Sequence, residues 1–319
     1  MEKKKVTKGT KKTIIIYLAV IAVLGAIIYG VPQVTDIFKD TYIAEYGTLQ
    51  ISDEAECVFV REEKVHYASS GGTVKKEEEA GELVRKGSSI VNVGASAHKS
   101  SIQGLVSYWC DGYEESITPD KLKKMDKSII DSIKESEEHD IIEIGSGTAA
   151  AGDPVFKIVD NHEWYLVCWL DSEKKDKYSE GKEVTVDFDM EDSEDDIDGV
   201  DGIKMTVSSV TDAGEDEFRL ILVCNRYYEE FDKLRISECR IITSNKSGIL
   251  LETDSIGEKD GQKGVYVMDI HGEGNFTPVL ILADDGETCV VEKNFYYDAE
   301  GWPVETVINY DEILSQEVD

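Results

Sequence analysis

The longest apolar run of the chain lies near its N-terminus, from Thr13 to Thr35, and contains no ionisable acid or base. At 1.5 Å per residue, about 20 helical apolar residues cross a hydrocarbon core of about 30 Å, so the run predicts a transmembrane helix. A cleaved signal peptide is the alternative, but its apolar region usually has only about 7 to 15 residues. The residues after Ile28 also fit a cleavage site poorly. We therefore interpret residues 13–35 as a retained, single-pass anchor.

After this run, short apolar segments alternate with turns rich in Gly, Asp and Asn. Residues 183–188 alternate strictly between polar and apolar side chains, and this period of two predicts a half-buried strand. Similar short apolar runs recur at Val155–Val159, Trp164–Leu170, Phe218–Val223, Val265–Met268, Val279–Leu282 and Cys289–Val291. The chain beyond residue 35 is therefore predicted to be mainly β.

One segment departs from this pattern and predicts a helix. Thr118 offers a hydroxyl N-cap, and Pro119 suits the first helical position. Apolar side chains then recur at helical spacing, at Leu122, Met125, Ile129, Ile130 and Ile133. The segment from Pro119 to about Glu135 is predicted to form one amphipathic helix packed on the β body.

Two glycine-marked stretches resemble each other. The segment Gly72–Val74 has the same Gly-x-Val pattern as Gly104–Val106, and the turn Ala80–Glu82 has the same Ala-Gly-acid pattern as Ala151–Asp153. A hydrophobic strand follows each turn. This repetition predicts two similar halves of a small sandwich, related by a pseudo-two-fold axis.

The charge of the chain separates a short basic tip from a long acidic body. The 319 residues carry a net charge of -32, of which residues 1–12 contribute +5 and the remainder -37. An acidic body argues against a broad surface for DNA, RNA or anionic lipid. Because lysines before an anchor stay in the cytoplasm, the body after residue 35 is expected to face outward. Its 41% of apolar residues can form ordinary packed cores.

Six segments between residues 60 and 267 form a recognisable combination, within a region of about residues 46–291. They are Val60–Glu63, Gly72–Gly87, Pro154–Asp160, Trp164–Leu166, Gly181–Val186 and Lys259–Val267. In this order the chain resembles the hemolysin-D-like membrane fusion proteins, also called periplasmic adaptor subunits. The resemblance implies a mainly β fold with an N-terminal transmembrane helix, a lipoyl-like barrel-sandwich hybrid, a β-barrel and a membrane-proximal β domain.

The resemblance also implies an order of domains along the chain. The expected bounds are a cytoplasmic basic tip at 1–12, a transmembrane helix at 13–35, first membrane-proximal strands at 36–64, a lipoyl-like hybrid at 65–170 with the helix at 119–135, a β-barrel at 171–240, and a membrane-proximal domain with an acidic tail at 241–319.

One departure from the family concerns the connection between the two halves of the hybrid. Typical members carry a long α-helical hairpin there, but only eight residues separate Val93 from Ile102 in this chain. Even as one helix, eight residues span only about 12 Å. Docking onto a tall outer-membrane duct is therefore not expected, and a cell with a single membrane fits better.

By resemblance, the expected function is that of a non-enzymatic adaptor that partners a membrane transporter in efflux or secretion. The expected location is the cytoplasmic membrane, with the lipid bilayer contacted through residues 13–35 and the body outside. The fold is compatible with a homo-oligomeric ring. The alternative is a structural envelope protein linked to cell division or wall assembly. No catalytic residue, cofactor or metal site is expected.

A lipoyl or biotinyl carrier is a third hypothesis, because true carriers present a modified lysine between the two halves. Lys99 lies in this connection, but His98 and Ser100 flank it instead of the residues that carriers show. A solvated loop lysine is the preferred interpretation.

Other possible sites are weaker. Gly145, Gly147 and Gly152 superficially resemble a phosphate loop, but a strand follows them where a dinucleotide site needs a helix. Ser96 near His98 has no recognisable acid partner or oxyanion motif. The histidines His66, His98, His139, His162 and His271 are scattered without the spacing of zinc ligands.

Acidic residues and cysteines complete the candidate chemistry. The acidic run at 189–202 fails the EF-hand pattern, because Met205 falls where the bidentate Glu should be, and a solvated loop is preferred over calcium binding. The cysteines are Cys57, Cys110, Cys168, Cys224, Cys239 and Cys289. Their wide spacing and apolar surroundings favour buried thiols over a disulfide framework.

Overall fold

The computed structural model describes residues 20, 40–137, 142–145, 147–188, 202–228 and 231–315. The chain divides into a large unit of residues 50–244 and a small unit of residues 1–49 and 245–319. No helix in this described part is long and apolar enough to cross a membrane. Apart from Val20, the predicted anchor at 13–35 and the basic tip lie outside the described residues, and so does the acidic run at 189–202 apart from Gly202.

The described residues are mainly β. In chain order the strands are β1 (Thr41–Ile43), β2 (Glu45–Tyr67), β3 (Gly72–Lys76), β4 (Leu83–Val84), β5 (Ser89–Val93), β6 (Ser96–Lys99), β7 (Gly104–Ser107), β8 (Trp109–Cys110), β9 (Ile142–Glu143), β10 (Thr148–Ala149), β11 (Pro154–Asp171), β12 (Glu183–Phe188), β13 (Ile203–Asp212), β14 (Glu217–Cys224), β15 (Ile236–Glu252), β16 (Gly257–Lys259), β17 (Gln262–Met268), β18 (Gly274–Pro278), β19 (Ile281–Asp284), β20 (Thr288–Val291), β21 (Phe295–Tyr297), β22 (Pro303–Glu305) and β23 (Glu312–Leu314).

Helical structure is short. The α-helix α1 covers Ser128–Glu137, and 3-10 helices cover Pro119–Lys124, Ser172–Lys177, Phe231–Lys233 and Thr253–Ser255. The strands predicted from apolar runs are confirmed, with two main differences in bounds. The runs at Val155–Val159 and Trp164–Leu170 form one strand, β11, and the run at Val279–Leu282 forms a strand only from Ile281.

Six strands of the large unit close into a barrel. Following the hydrogen-bonded neighbours, β15, β12, β13, β14 and β11 lie side by side, and β2 pairs with both β11 and β15. The strand β2 therefore closes the ring. Aromatic and aliphatic side chains fill the interior, among them Phe59, Trp164, Phe218 and Phe231.

Some strands of the barrel are covered on both faces. This explains why their sequences are continuous apolar runs. In β11, Leu166 and Cys168 belong to the barrel interior, whereas Val167 and Trp169 pack outside with Ile133 of α1. A strand buried on both faces loses the alternation of apolar and polar residues, since neither face meets water.

The lipoyl-like hybrid combines two sheets of the large unit. One sheet has the order β10-β3-β5-β6, and the other contains β4 and β7 beside the first part of β11. The two predicted Ala-Gly-acid turns are equivalent, since Gly81 and Gly152 both have positive φ, at 83° and 95°. The Gly81 N–H donates to the Val106 carbonyl and the Gly152 N–H to the Ala68 carbonyl, at 2.8 and 2.9 Å. The prediction of two similar halves is confirmed in these turns.

The prediction of one helix over 119–135 is wrong, because the chain breaks between the 3-10 helix and α1. Met125 is extended, with ψ at 133°. The Arg219 guanidinium donates to the carbonyls of Met125 and Lys123, at 2.7 and 3.0 Å, and takes the acceptors that a continuous helix would use. Asp126 Oδ1 then accepts from the Ser128 N–H at 3.0 Å and caps α1.

The small unit forms a separate β structure around its own core. One sheet has the order β1-β23-β17-β16 with β18 beside β17, while β19 and β20 pair with the last part of β15. Its buried core contains Ile249, Val265, Cys289, Val307 and Ile313. A β hairpin of β21 and β22 carries exposed aromatic side chains in this unit.

Candidate functional site

Buried charged side chains gather in the large unit where β2 and β11 continue from the hybrid into the barrel. The pairing of these strands shifts register between Val159 and Trp164, and Glu63 lies opposite Val159 at this shift. Six side chains meet here, and we call them the junction cluster: Arg61, Glu63, Asp111, Glu114, Lys157 and Arg235. Three are cationic and three anionic. Charges are tolerated in a protein interior when they are paired in this way.

Glu63 is the centre of the junction cluster. Its side chain is fully buried and is contacted by all three cations. Arg61 Nε donates to Oε1 at 3.0 Å, and Lys157 Nζ lies 2.9 Å from the same oxygen. Arg235 Nη2 donates to Oε2 at 2.6 Å. Both carboxylate oxygens are therefore paired with cationic side chains.

The remaining two acids extend the cluster. Arg235 holds Asp111 through two hydrogen bonds, with Nε 2.7 Å from Oδ2 and Nη2 3.1 Å from Oδ1. Such a bidentate pair fixes the orientation of both groups. Lys157 Nζ, on a side chain with no exposed surface, also lies 3.6 Å from Glu114 Oε1.

The cluster also binds the backbone of the 3-10 helix Phe231–Lys233. Arg61 donates to the carbonyls of Phe231 and Asp232, at 2.5 and 3.1 Å, and Lys157 donates to the Asp232 carbonyl at 3.3 Å. The ring of Phe231 packs on Trp164 inside the barrel, with centroids 4.9 Å apart. The charged network is therefore attached directly to the barrel core.

The electrostatics of the cluster favour the charged forms of Glu63, Asp111 and Arg235. Burial by itself raises the pKa of Glu63, but Arg61, Arg235 and Lys157 outweigh it and hold that pKa far below its ordinary range. Burial also raises the pKa of Asp111, and Arg235 reverses the shift and lowers it. Burial lowers the pKa of Arg235, but Glu63 and Asp111 raise it above its ordinary value. These three groups keep their charges at neutral pH. The arrangement therefore suits a rigid structural connection between the hybrid and the barrel better than it suits proton transfer.

Sequence reasoning did not find this cluster, although two signals for it were present. Arg61 and Glu63 are two residues apart on one strand and share a face. Lys157 interrupts the apolar run Val155–Val159. A charge inside an otherwise buried strand requires a partner, but the sequence does not say which residue supplies it.

Three of the six cysteines meet inside the barrel. The Sγ atoms of Cys57, Cys168 and Cys239 lie within 4.8 Å of one another, and all three residues are buried. Cys57 and Cys239 form a disulfide, and Cys168 Sγ lies 2.9 Å from Cys57 Sγ. The expectation of buried cysteines is confirmed, whereas the preference for free thiols is wrong for this pair. Free thiols remain at Cys110, Cys168, Cys224 and Cys289.

The sites weighed from the sequence do not come together in one place, although His66 and His98 lie close enough to interact electrostatically. Lys99 is exposed at the end of β6, while the turn between β5 and β6 consists of Gly94 and Ala95. Gly152 forms the turn before β11. His66 stacks on Phe156, with ring centroids 4.4 Å apart.

The other weighed residues are also dispersed. His162 pairs with Asp160 at 2.7 Å, and Ser96 Oγ lies 3.5 Å from Ser70 Oγ. His139 lies outside the described residues.

Two family models match the large unit in succession. An RND-related barrel-sandwich hybrid domain matches residues 63–160, and an RND-related β-barrel domain matches residues 164–245. The junction cluster contains residues from both matches, since Glu63 and Lys157 fall in the first and Arg235 falls in the second. No curated protein matches the chain.

Solved structures of similar proteins are distant in sequence. ZneB from Cupriavidus metallidurans is 10% identical with a TM-score of 0.29, and 88% of this chain and 92% of that chain are covered. MacA from Actinobacillus actinomycetemcomitans is 9% identical with a TM-score of 0.36, over 87% and 100% of the two chains. The membrane fusion protein Spr0693 from Streptococcus pneumoniae R6 is 12% identical with a TM-score of 0.29, over 60% and 98%.

The assignment to a family follows from the two domain matches and their order. Together they cover more than half of the 319 residues. They are the hybrid and barrel that the six sequence segments predicted, joined in the same sequence. The chain therefore belongs to the hemolysin-D-like membrane fusion proteins.

Proposed function

We propose that this chain is a membrane-anchored, non-enzymatic adaptor that partners a transporter of the cytoplasmic membrane in efflux or secretion. The observation that carries the proposal is the succession of an RND-related hybrid domain and an RND-related barrel on one chain. The apolar run at residues 13–35 supplies the anchor, and the six lysines before it place the body outside the cytoplasm.

The connection between the two halves of the hybrid limits the reach of this adaptor. Val93 pairs with Ser96, so β5 and β6 are joined by a two-residue turn of Gly94 and Ala95. A turn of this length has no room for the helical hairpin that typical members carry. The proposed adaptor therefore acts near the outer face of the membrane, in a cell that has a single membrane.

The hairpin of β21 and β22 in the small unit has features that favour binding of a protein partner. Tyr297 and Trp302 are 65% and 67% exposed, and the Phe295 ring lies 5.6 Å from the Tyr297 ring in an edge contact. The backbone N–H of Trp302 donates to Asp298 Oδ1 at 2.8 Å, which orders the turn that carries the indole. Ordered, exposed Tyr and Trp side chains are typical anchors of protein interfaces. We propose that these hairpin aromatics contact the outward-facing part of the transporter.

Photocrosslinking in intact cells tests this function. A photoreactive phenylalanine derivative replaces Trp302 in the full-length chain, and the crosslinked partner is identified by mass spectrometry. The expected product joins the chain to an integral membrane transporter. Tyr67 of the large unit, which is 51% exposed, is the matched control position and is expected to give much less of this product.

The same experiment separates the adaptor from the structural envelope protein. Crosslinks from position 302 to division or wall proteins, with no transporter recovered by pull-down of the solubilised full-length chain, would overturn the adaptor proposal. Crosslinks between two copies of the chain would indicate the proposed homo-oligomer. A mass shift on the Lys99 peptide in native material would instead support a carrier.

A further inference from the structure

The three-cysteine group lies at the strand that closes the barrel. Cys57 is on β2, which has β11 on one side and β15 on the other. Cys168 on β11 lies directly opposite Cys57 in the strand register. Cys239 on β15 completes the group and forms the disulfide with Cys57. The sulfur of Cys57 therefore has one neighbouring sulfur on each adjacent strand.

A metal site is the first alternative, because three sulfur atoms within 4.8 Å of one another could hold a soft cation. Metal binding requires thiolates, and three thiolates on a monovalent or divalent cation leave net negative charge. Two of the three sulfurs are already bonded in the disulfide between Cys57 and Cys239, so three thiolates would require that bond to be reduced first. The sulfurs lie among the apolar side chains of the barrel core, where uncompensated charge is unfavourable. A neutral disulfide beside a neutral thiol fits this environment better.

We propose that Cys57 exchanges its disulfide between the two adjacent strands. In one form Cys57 is bonded to Cys239 and β2 is linked to β15. In the other form Cys57 is bonded to Cys168 and β2 is linked to β11. The group is thus a site of internal thiol–disulfide exchange. The exchange changes whether β2 is covalently linked to β15 or to β11.

The exchange is balanced within the group. The Cys168 thiol gives up its proton, and its sulfur attacks Cys57 Sγ. The bond between Cys57 and Cys239 breaks, and its electron pair leaves on the Cys239 sulfur, which takes up the proton that Cys168 gave up. One disulfide and one thiol are present before and after, so no oxidant or reductant is consumed.

The two forms constrain the chain differently. The bond from Cys57 to Cys239 closes a loop with a sequence separation of 182, and the bond to Cys168 closes one of 111. Only the first bond joins β2 to β15, the strand that ends the barrel in sequence. Formation of the second bond leaves that side of the barrel held by non-covalent contacts, including the hydrogen bond from the Phe59 N–H to the Arg235 carbonyl at 2.9 Å.

Disulfide mapping of the full-length protein tests this proposal. The protein is purified without reductant, incubated for a day in urea below its unfolding midpoint, and alkylated under acidic denaturing conditions. Linked peptides are then identified by mass spectrometry. Wild-type protein is expected to give both linked peptides, Cys57 with Cys239 and Cys57 with Cys168. Cys168→Ser is expected to lose the second peptide completely and to keep the first.

Two further variants complete the design. Cys239→Ser leaves Cys57 and Cys168 as two thiols. After oxidation by dissolved oxygen it is expected to hold the bond between them, and it supplies the reference mass of that peptide. Cys224→Ser removes another buried cysteine of the barrel core and is expected to give the wild-type pattern. The proposal is overturned if wild-type protein yields no peptide linking Cys57 with Cys168, whether the first bond is present or all six cysteines are alkylated. This readout in wild-type protein does not depend on whether any variant folds.

Discussion

Glu63 shows at the scale of one residue how a buried charge can be tolerated. Its carboxylate meets Arg61, Lys157 and Arg235 at 3.0, 2.9 and 2.6 Å, and it has no exposed side-chain surface. Replacing such a network by apolar groups can be neutral, but removing a single member leaves its partners buried and unpaired. Glu63 therefore stabilises the fold mainly because its loss would leave Arg61, Lys157 and Arg235 buried without their common counter-charge.

Glu63→Gln is expected to lower the free energy of unfolding by about 3–5 kcal/mol, because three buried cations lose their common counter-charge. Urea unfolding of the chain at neutral pH measures this loss. Glu62→Gln is the matched control, since Glu62 lies next in sequence and pairs with Lys64 at the surface. A surface pair contributes about 0–1 kcal/mol. Equal effects of the two substitutions would contradict the central role of Glu63.

The pH dependence of the same variant gives a second prediction. The pKa of Glu63 in the folded chain lies below its ordinary value, so its stabilisation is fully present above the unfolded-state pKa of about 4.3. That stabilisation is lost as the pH falls toward the folded-state pKa. The difference in unfolding free energy between wild type and Glu63→Gln is expected to stay constant from about pH 7 to 5.5 and to shrink below about pH 4.3. Urea titrations across this range measure it, and a difference that persists unchanged to pH 3 would argue against the assignment.

At the scale of elements, the two halves of the hybrid depend on close packing between strands. Gly104 begins β7, and a Cβ atom at this position would lie 2.3 Å from the Val159 carbonyl oxygen of β11. At the equivalent position in β3, a Cβ atom on Gly72 would lie 2.7 Å from the Gly94 backbone nitrogen. Both glycines of the repeated Gly-x-Val pattern are therefore required by neighbouring backbone, which does not move aside as a flexible side chain can.

Gly104→Ala is expected to destabilise the large unit by about 1–3 kcal/mol, because the added methyl group forces β7 and β11 apart. Thermal or urea unfolding monitored by circular dichroism measures the change. Gly145→Ala serves as the control, since a Cβ atom there meets nothing within 4 Å. If Gly104→Ala destabilised the protein no more than Gly145→Ala, β7 would be able to shift without loss of stability, and the prediction would be wrong.

At the scale of the whole molecule, the chain combines parts of opposite character. Residues 1–12 carry +5, residues 13–35 carry no charge, and the rest carries -37. A long uncharged apolar run is costly in water, whereas a strongly acidic body resists association. Membrane attachment is therefore expected to depend on the first 35 residues alone.

Deletion of residues 1–35 is expected to move the protein from the membrane fraction to the soluble fraction, because the remaining residues retain the acidic body without the apolar run. Alkaline carbonate extraction of membranes followed by immunoblotting measures this distribution. The full-length chain is expected to resist extraction. Full-length protein released by carbonate, or a deletion variant still held in the membrane, would contradict a single anchor at 13–35.

Much of the fold could be predicted from the sequence, because its determinants are local. The alternation at residues 183–188 indicates a half-buried strand, and β12 there is buried at alternate positions. The repeated Ala-Gly-acid turns need positive φ at glycine, and both glycines have it. Six short segments, each weak alone, identified the order of hybrid and barrel because they occur in the same succession as in the family.

Contacts between distant parts of the chain could not be predicted in the same way. Glu63 and Arg235 are separated by 172 residues, and Cys57 and Cys239 by 182. Each is a polar or sulfur group on a strand or next to one, and its partner depends on which strands the barrel brings side by side. The break between the 3-10 helix and α1 has a similar origin, because Arg219 reaches it from a strand 94 residues beyond Met125.

The sequence by itself determined the anchor-like apolar run, the β character of the body and the similar glycine turns in the two halves of the hybrid. These follow from hydrophobic period and from glycine, whose effects extend over a few residues. Only the tertiary structure decided the junction cluster, the disulfide and the helix break. The junction cluster and the disulfide depend on closing a barrel in which β2 meets β11 and β15, and the helix break depends on the contact with Arg219 of β14. Each contact brings together groups that are over 90 residues apart in the chain.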